Sequence, residues 1–418
     1  MSRTKRIFIS DIHMGTEESV TKKYGWFWTE KAVLLGEFLT QLANDATVAE
    51  LVIVGDLFDE WVVPYGTSPV TPGSNQFEVI ASASQNQPVI QGLKQLIATS
   101  GVTVFYVPGN HDMLIQSGEL TKILPGIKPI IDPTITGVGI YHSASVYAEH
   151  GSCYDLFNAP DTYDTLQGAT HHLPVGFFVA RSQAEGVING HPLSQSSVFE
   201  AIGAFWNSWN KKDPLVANIY DFIASLSDTK NQSIAMNSLD GIDKNVENTS
   251  DVTGSYGNVY DEWDQHMSDY VGANTAVIGA TGMLRPAAFL KYHSFFSSNI
   301  ALFGHTHDAE IKSGWLPETD ESKELLTVAR DGIHPDQKSA LEKLLNLPET
   351  NQSGESGFIY VNTGTWITGD SGKPDKKQRA NYAVIEQKGS KTYASLYNYN
   401  GDLYAPSSQM GSTYYVNN

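Results

Sequence analysis

Short apolar runs, each stopped abruptly by polar residues, recur along the chain. Residues 6–10 run into Asp11-Ile12-His13, residues 50–54 into Gly55-Asp56, and residues 102–107 into Pro108-Gly109-Asn110-His111-Asp112. Further on, residues 138–148 lead to His150-Gly151, and Ile300–Phe303 leads to Gly304-His305-Thr306-His307. Runs rich in β-branched and aromatic residues predict buried strands. The 138–148 run is long enough for a longer strand or a hairpin. Helical patterns lie between the runs. Leu34, Leu35, Phe38, Leu39 and Leu42 make one apolar stripe. Ile90, Leu93, Leu96 and Ile97 make another, with Gly101 just past its end. Alternating strands and helices predict an α/β core, in which ligand groups gather beyond the carboxyl ends of strands. Every polar cluster named above falls at such an end.

Residues 155–297 break this rhythm and predict a mostly helical insertion. Ser197 and Glu200 form a capping box ahead of Val198, Ile202, Phe205, Trp206 and Trp209. Pro214 opens a second helix carrying Val216, Ile219, Tyr220 and Phe222, and a polar stretch over 227–256 predicts a long loop. The core is therefore expected over 1–154 and 298–405. A second insertion, 308–356, holds a charged helix near 338–347. Residues 358–362, 382–386 and 392–397 read as closing strands, and 406–418 as a tail.

With 418 residues and 41% apolar side chains, the chain can bury a sizeable core. Its net charge of −19 disfavours a nucleic acid polymer as partner, since such binding needs a basic footprint. One cysteine, Cys153, excludes an internal disulfide framework. The opening apolar run is too short for a signal-peptide core, and no run is long enough to cross a membrane. The expected location is cytoplasmic.

Taken singly, the polar clusters have ordinary explanations. Asp11 and His13 suit a polar loop, His150 a satisfied core histidine, and Asp56 a helix cap. His305 and His307 alternate along an extended segment and so share a face. Together they place carboxylates, imidazoles and an amide at the strand ends of one core, without thiolates. That donor set suits Mn, Fe, Ni or Zn rather than a structural cysteine site. Seven such donors exceed what one ion needs and suit two ions sharing a carboxylate.

The ordered blocks "DIH", "GD", "GNHD", "H" and "GHTH" resemble those of the calcineurin-like metallophosphoesterases over roughly 6–151 and 298–400. The resemblance implies a four-layer α/β/β/α sandwich with a dinuclear metal site on top. By block position, Asp11, His13 and His307 would hold one ion, Asn110, His150 and His305 the other, and Asp56 would bridge them. His111 would be free for proton transfer, with Asp112 fixing its tautomer and Gly109 allowing a tight turn. The implied chemistry is hydrolysis of a phosphoester by in-line attack of a water ionised between the ions.

The substrate class is narrowed by residues that are missing. No Arg follows "GDLFDEW", unlike the family's protein phosphatases, and the acidic chain is unlike a repair nuclease. "GDLFDEW" and "VNTGTW" look like blocks of the UDP-diacylglucosamine pyrophosphohydrolases. Those enzymes carry Arg where His111 stands and differ after His150. The expected substrate is a small or amphipathic phosphodiester, pyrophosphate or phosphomonoester, with the insertion as a cap beside the cleft. A non-catalytic, metal-binding interaction scaffold of the same fold is the reading from another class.

Overall fold

In a computed structural model, residues 2–66, 76–155, 158–159, 173–190, 299–313, 354–370, 373–374 and 379–418 are described. Their strands, in chain order, are β1 (Lys5–Ile9), β2 (Val48–Val54), β3 (Thr103–Val107), β4 (Lys128–Pro129) and β5 (Tyr141–Ser143). Then come β6 (Val146–Ala148), β7 (Ile300–Phe303), β8 (Glu310–Ser313), β9 (Gly354–Glu355) and β10 (Ile359–Asn362). The last five are β11 (Gly369–Asp370), β12 (Lys373–Pro374), β13 (Asn381–Lys388), β14 (Lys391–Asn398) and β15 (Gln409–Asn417). The helices are α1 (Glu17–Thr21), α2 (Thr29–Asn44), α3 (Gln76–Ser82), α4 (Gln87–Ala98), α5 (Ser117–Ile123) and α6 (Val175–Ile188).

Two sheets pack into the sandwich that the resemblance implied. One has the order β4-β3-β2-β1-β13-β14-β15-β9, and the other β5-β6-β7-β10-β8. Within β1, Ile7 and Ile9 face a helical layer that includes Leu35, Phe38 and Leu39 of α2 and Leu93 and Leu96 of α4. Phe8, between them, faces the second sheet and joins Val52, Val107, Ile300, Leu302 and Val361. Burial on both faces is why these strands read as continuous apolar runs rather than alternating ones. The predicted α2 and α4 stripes are the buried faces of those helices.

The pairings β1–β2, β2–β3, β6–β7 and β7–β10 are all parallel. Parallel neighbours end at the same edge, so the loops after β1, β2 and β3 meet, as do those after β6 and β7. Backbone bonds lock the meeting. Asp11 N donates to Gly55 O (3.2 Å), His13 N to Asp56 O (2.9 Å) and Gly304 N to His150 O (3.0 Å).

Several expectations need correction. Of the two readings of 138–148, the hairpin holds, as β5 and β6, and the longer strand does not. The 308–356 segment does not leave the core at once, because β8 pairs antiparallel with β10. Residues 406–418 are not a tail. Strand β15 pairs with β14, setting Tyr414 opposite Ala394 and Val416 opposite Thr392, and it buries Tyr414 and Val416. The alternation of these two inward residues was hidden by Thr413 and Tyr415 between and beside them and by an irregular register near Ala394. Of the 155–297 insertion, the described part contributes α6. The helices expected at 197–209 and 214–222, the loop at 227–256 and the charged helix at 338–347 lie outside the described residues. No helix among the described residues is long and apolar enough to cross a membrane.

Candidate metal centre

The expected metal donors and His111 stand at the shared edge of the two sheets, and their donor atoms converge. Three overlapping triads bring their ligand atoms within 4.8 Å of one another: Asp11/His13/His307, His13/Asp56/His111 and Asp11/Asp56/His150. His13 Nε2 lies 3.0 Å from His307 Nε2, and His307 Nε2 lies 3.4 Å from Asp11 Oδ1. Asp56 sits between the two halves, its Oδ2 being 3.5 Å from His13 Nε2 and 3.2 Å from His150 Nε2. Asn110 Oδ1 completes the second half, 3.0 Å from His150 Nε2 and 3.1 Å from His305 Nδ1.

The backbone is bent to achieve this. Asp11, His13, Asp56, His305 and His307 all adopt left-handed φ angles, from 53° to 69°. Non-glycine residues avoid that region at a cost of about 1 kcal/mol or more each, and such outliers gather at functional sites. His305 and His307 therefore do not lie along an extended strand as the sequence reading had them. They share the site because both residues turn out of it. At Gly109 the reason for glycine is proximity rather than a turn. A Cβ there would lie 2.1 Å from Asp56 Oδ1. At Gly304 it would lie 2.5 Å from Asp11 Oδ2.

Asp112 does not hold His111. Its carboxylate accepts backbone N–H bonds from Gly109 (2.8 Å), Leu57 (2.8 Å), Phe58 (3.2 Å) and Asp56 (3.3 Å), tying the loop after β2 to the loop after β3. The partner of His111 is Asp59, whose Oδ1 lies 3.0 Å from His111 Nδ1. The same oxygen accepts from Trp61 N and Val62 N, and Asp59 Oδ2 reaches within 3.4 Å of His13 Nδ1. Sequence reading passed over Asp59 because Leu57-Phe58 separate it from Asp56 as in any mixed loop. Its signal was a second carboxylate in the buried "GDLFD" turn.

Other supports were equally silent in the sequence. His150 Nδ1 is fixed by Val54 O (2.9 Å), which leaves Nε2 to the site. His305 Nε2 meets Asp155 Oδ2 at 3.0 Å, and Asn158 Oδ1 accepts from Asn110 Nδ2 (3.4 Å). In "VNTGTW", Asn362 Nδ2 donates to Gly304 O (2.7 Å) and Thr365 Oγ1 to Asp11 O (2.7 Å). Trp26 lies over three imidazoles, with ring centroids 4.7 Å from His13, 5.1 Å from His111 and 5.7 Å from His307.

Burial raises the Asp56 carboxyl, but the His150 and His111 charges outweigh it and hold Asp56 well below the usual range. Burial lowers His150, and Asp56 and Asp11 more than reverse this, raising it to about 10. His111 is likewise lowered by burial yet raised overall by Asp59 and then Asp56. Burial keeps His13 below its ordinary value, with the nearby His111 acting in the same sense. Burial, with Asp56 beside it, lifts Asp112 above the carboxylate range.

The donor set fits divalent cations. The buried carboxylates of Asp11 and Asp56, set among imidazole nitrogens, favour positive charge between them, supplied by protons or by metal. Oxygen and nitrogen donors without sulfur match the metals named from the sequence.

Comparison with known proteins agrees with this geometry. The family model for calcineurin-like phosphoesterases matches residues 4–309. No curated protein sequence matches the chain. Among solved structures, Vacuolar Protein Sorting 29 from Cryptosporidium parvum aligns over 99% of this chain and 98% of that one, at 8% identity and a TM-score of 0.30. That likeness is too slight to carry weight.

Proposed function

Because the chain belongs to the calcineurin-like phosphoesterase family, we propose that this cluster is a two-ion centre that hydrolyses a small or amphipathic phosphoester. The observation that carries the reading is the place of Asp56. One carboxylate oxygen stands 3.5 Å from His13 Nε2 and 3.2 Å from His150 Nε2, between two donor groups. Asp11, His13 and His307 would hold one ion, Asn110, His150 and His305 the other, and Asp56 would serve both. Bound divalent ions supply Lewis acidity toward phosphoryl oxygens and lower the pKa of water.

The chain's own residues do the rest. Val54 O and Asp155 fix the rings of His150 and His305, so the nitrogens needed for ligation are already aimed. Asp59 holds His111 by Nδ1 and favours its protonated form, which leaves Nε2 to give a proton to the leaving oxygen. Such donation contributes about 10²–10⁴-fold. Asp112 acts on the backbone of two site loops and touches no reacting atom. Trp26 shields one side of the imidazoles from water.

The excess of 46 acidic over 27 basic residues supports a small substrate over a polymer. A panel assay with the metal-loaded protein tests the reading. Bis-p-nitrophenyl phosphate, p-nitrophenyl phosphate and a UDP-linked pyrophosphate cover the diester, monoester and pyrophosphohydrolase choices. Hydrolysis of at least one, abolished by chelator, is expected. Two bound ions with no turnover of any of the three would instead mark a scaffold.

A further inference from the structure

Helix α6 comes from the insertion, yet it is not a surface lid. Phe177, Phe178, Ala180, Arg181, Ser182, Ala184 and Glu185 are all buried, which leaves only a narrow half-exposed stripe of Gly176, Val179, Gln183 and Val187. A helix with most of its circumference buried is packed into the body of the protein. Among these residues Arg181 is fully buried. A guanidinium is costly to bury unless its donors are met. Here Nη2 donates to Pro64 O (2.9 Å) and Tyr65 O (2.8 Å). The same loop is held twice more. Tyr65 N donates to Glu185 Oε2 (3.0 Å), and the Tyr65 hydroxyl shares a hydrogen bond with Ser182.

The clamped loop leads directly to His111. Trp61 packs against the His111 ring with centroids 4.6 Å apart, and the edge of Phe177 meets Trp61 at 6.0 Å. The N–H groups of Trp61 and Val62 bond Asp59 Oδ1, the oxygen that also faces His111 Nδ1. The backbone of residues 61–65 thus sets both the aromatic wall and the carboxylate of one imidazole. We infer that α6 is a positioning element of the reaction: by clamping residues 61–65 it holds Trp61 and Asp59 against His111 and so aims the proton donor. The inference rests on the proton-donor role proposed above. It assigns the first part of the insertion to the catalytic apparatus rather than to access control alone. Excising residues 160–290 would therefore remove a support of His111 together with any cap.

Arg181→Met removes the two donors at similar volume, and Phe177→Ala removes the edge contact. Each full-length variant is compared with wild type in three ways: metal uptake by the metal-free protein, the ¹H–¹³C ring resonance of His111, and kcat and KM for two metal-supported diesters that differ only in leaving-group acidity. The resonance is assigned by its loss in His111→Gln. Metal uptake and KM are expected to stay within about threefold of wild type. The His111 resonance should move. The kcat should fall about tenfold or more for the poor leaving group and less for p-nitrophenolate. Phe177→Leu, which keeps an apolar contact, should restore most of both signals, and it decides the matter if Phe177→Ala does not fold. An unmoved His111 resonance with unchanged leaving-group selectivity in the folded variants overturns the inference. So does an equal loss on both esters accompanied by metal loss, which marks α6 as structural only. If wild type cleaves neither diester, the proposed function falls, while the His111 resonance still decides whether α6 orders that ring.

Discussion

Asp59 Oδ1 lies 3.0 Å from His111 Nδ1, while Asp112, the immediate neighbour of His111, faces away and gathers four backbone N–H groups. The two carboxylates therefore have separable effects. Asp59→Asn should keep the fold and lower kcat about ten- to a hundredfold. Asp112→Ala strips partners from buried N–H groups and should cost about 3 kcal/mol or more, seen as a lower denaturation midpoint. Denaturant melts and steady-state kinetics on both variants check this. A large stability loss in Asp59→Asn with an intact midpoint in Asp112→Ala would reverse the assignment.

Space, rather than turn geometry, governs Gly109. A Cβ there would sit 2.1 Å from Asp56 Oδ1 and 2.6 Å from Asp56 N, so Gly109→Ala should displace the shared carboxylate. Metal uptake measured by calorimetry should drop sharply. Gly118→Ala in α5, where a Cβ meets nothing within 4 Å, is the control and should bind normally. Equal binding by both variants would count against the close approach at Asp56.

The metal-free protein holds a proton where a ligand must be neutral. Burial works against charge on His150, but Asp56 and Asp11 raise its pKa to about 10. A metal taking its Nε2 at neutral pH must displace that proton. The sign follows: affinity rises with pH through the neutral range, about tenfold per unit for one proton released. Titration calorimetry in buffers of different ionisation heat should count about one proton released at pH 7 from this residue. No release would show His150 to be unprotonated or unused.

Asp155 adds a carboxylate behind one of the candidate donors, outside the five sequence blocks. Its carboxylate holds His305 Nε2 at 3.0 Å, the carboxylate–histidine arrangement that orients a ligand ring. Asp155→Asn should weaken one of two metal-binding steps about ten- to a hundredfold and leave the other alone. Competition with a chromogenic chelator resolves the two steps.

Much of the core and the candidate donors was legible because each donor follows a strand buried on both faces. The apolar run, the stop and the donor are contiguous in sequence, as at Ile9-Ser10-Asp11 and Phe303-Gly304-His305. What failed was partnership across space. Choosing Asp112 over Asp59 for His111 followed chain proximity, whereas the loop after β2 brings Asp59 closer. The left-handed turns at His305 and His307 lack the usual glycine signal, since histidine itself takes the positive φ there. Strand β15 hid behind Thr413 and Tyr415. Helix α6 hid because a buried arginine, serine and glutamate interrupt its apolar positions, and their partners, Pro64 O, Tyr65 O and Tyr65 N among them, lie far off in sequence.

The central claim is one carboxylate serving two ions, and Asp56→Asn tests it most directly. The variant keeps the shape of the side chain and removes its charge. Metal analysis of the reconstituted variant, beside wild type assayed on bis-p-nitrophenyl phosphate, reads both consequences. The account predicts about two ions per chain in wild type, well under two in the variant, and turnover near background once Asp56 is changed. Two retained ions with normal turnover in Asp56→Asn would contradict it.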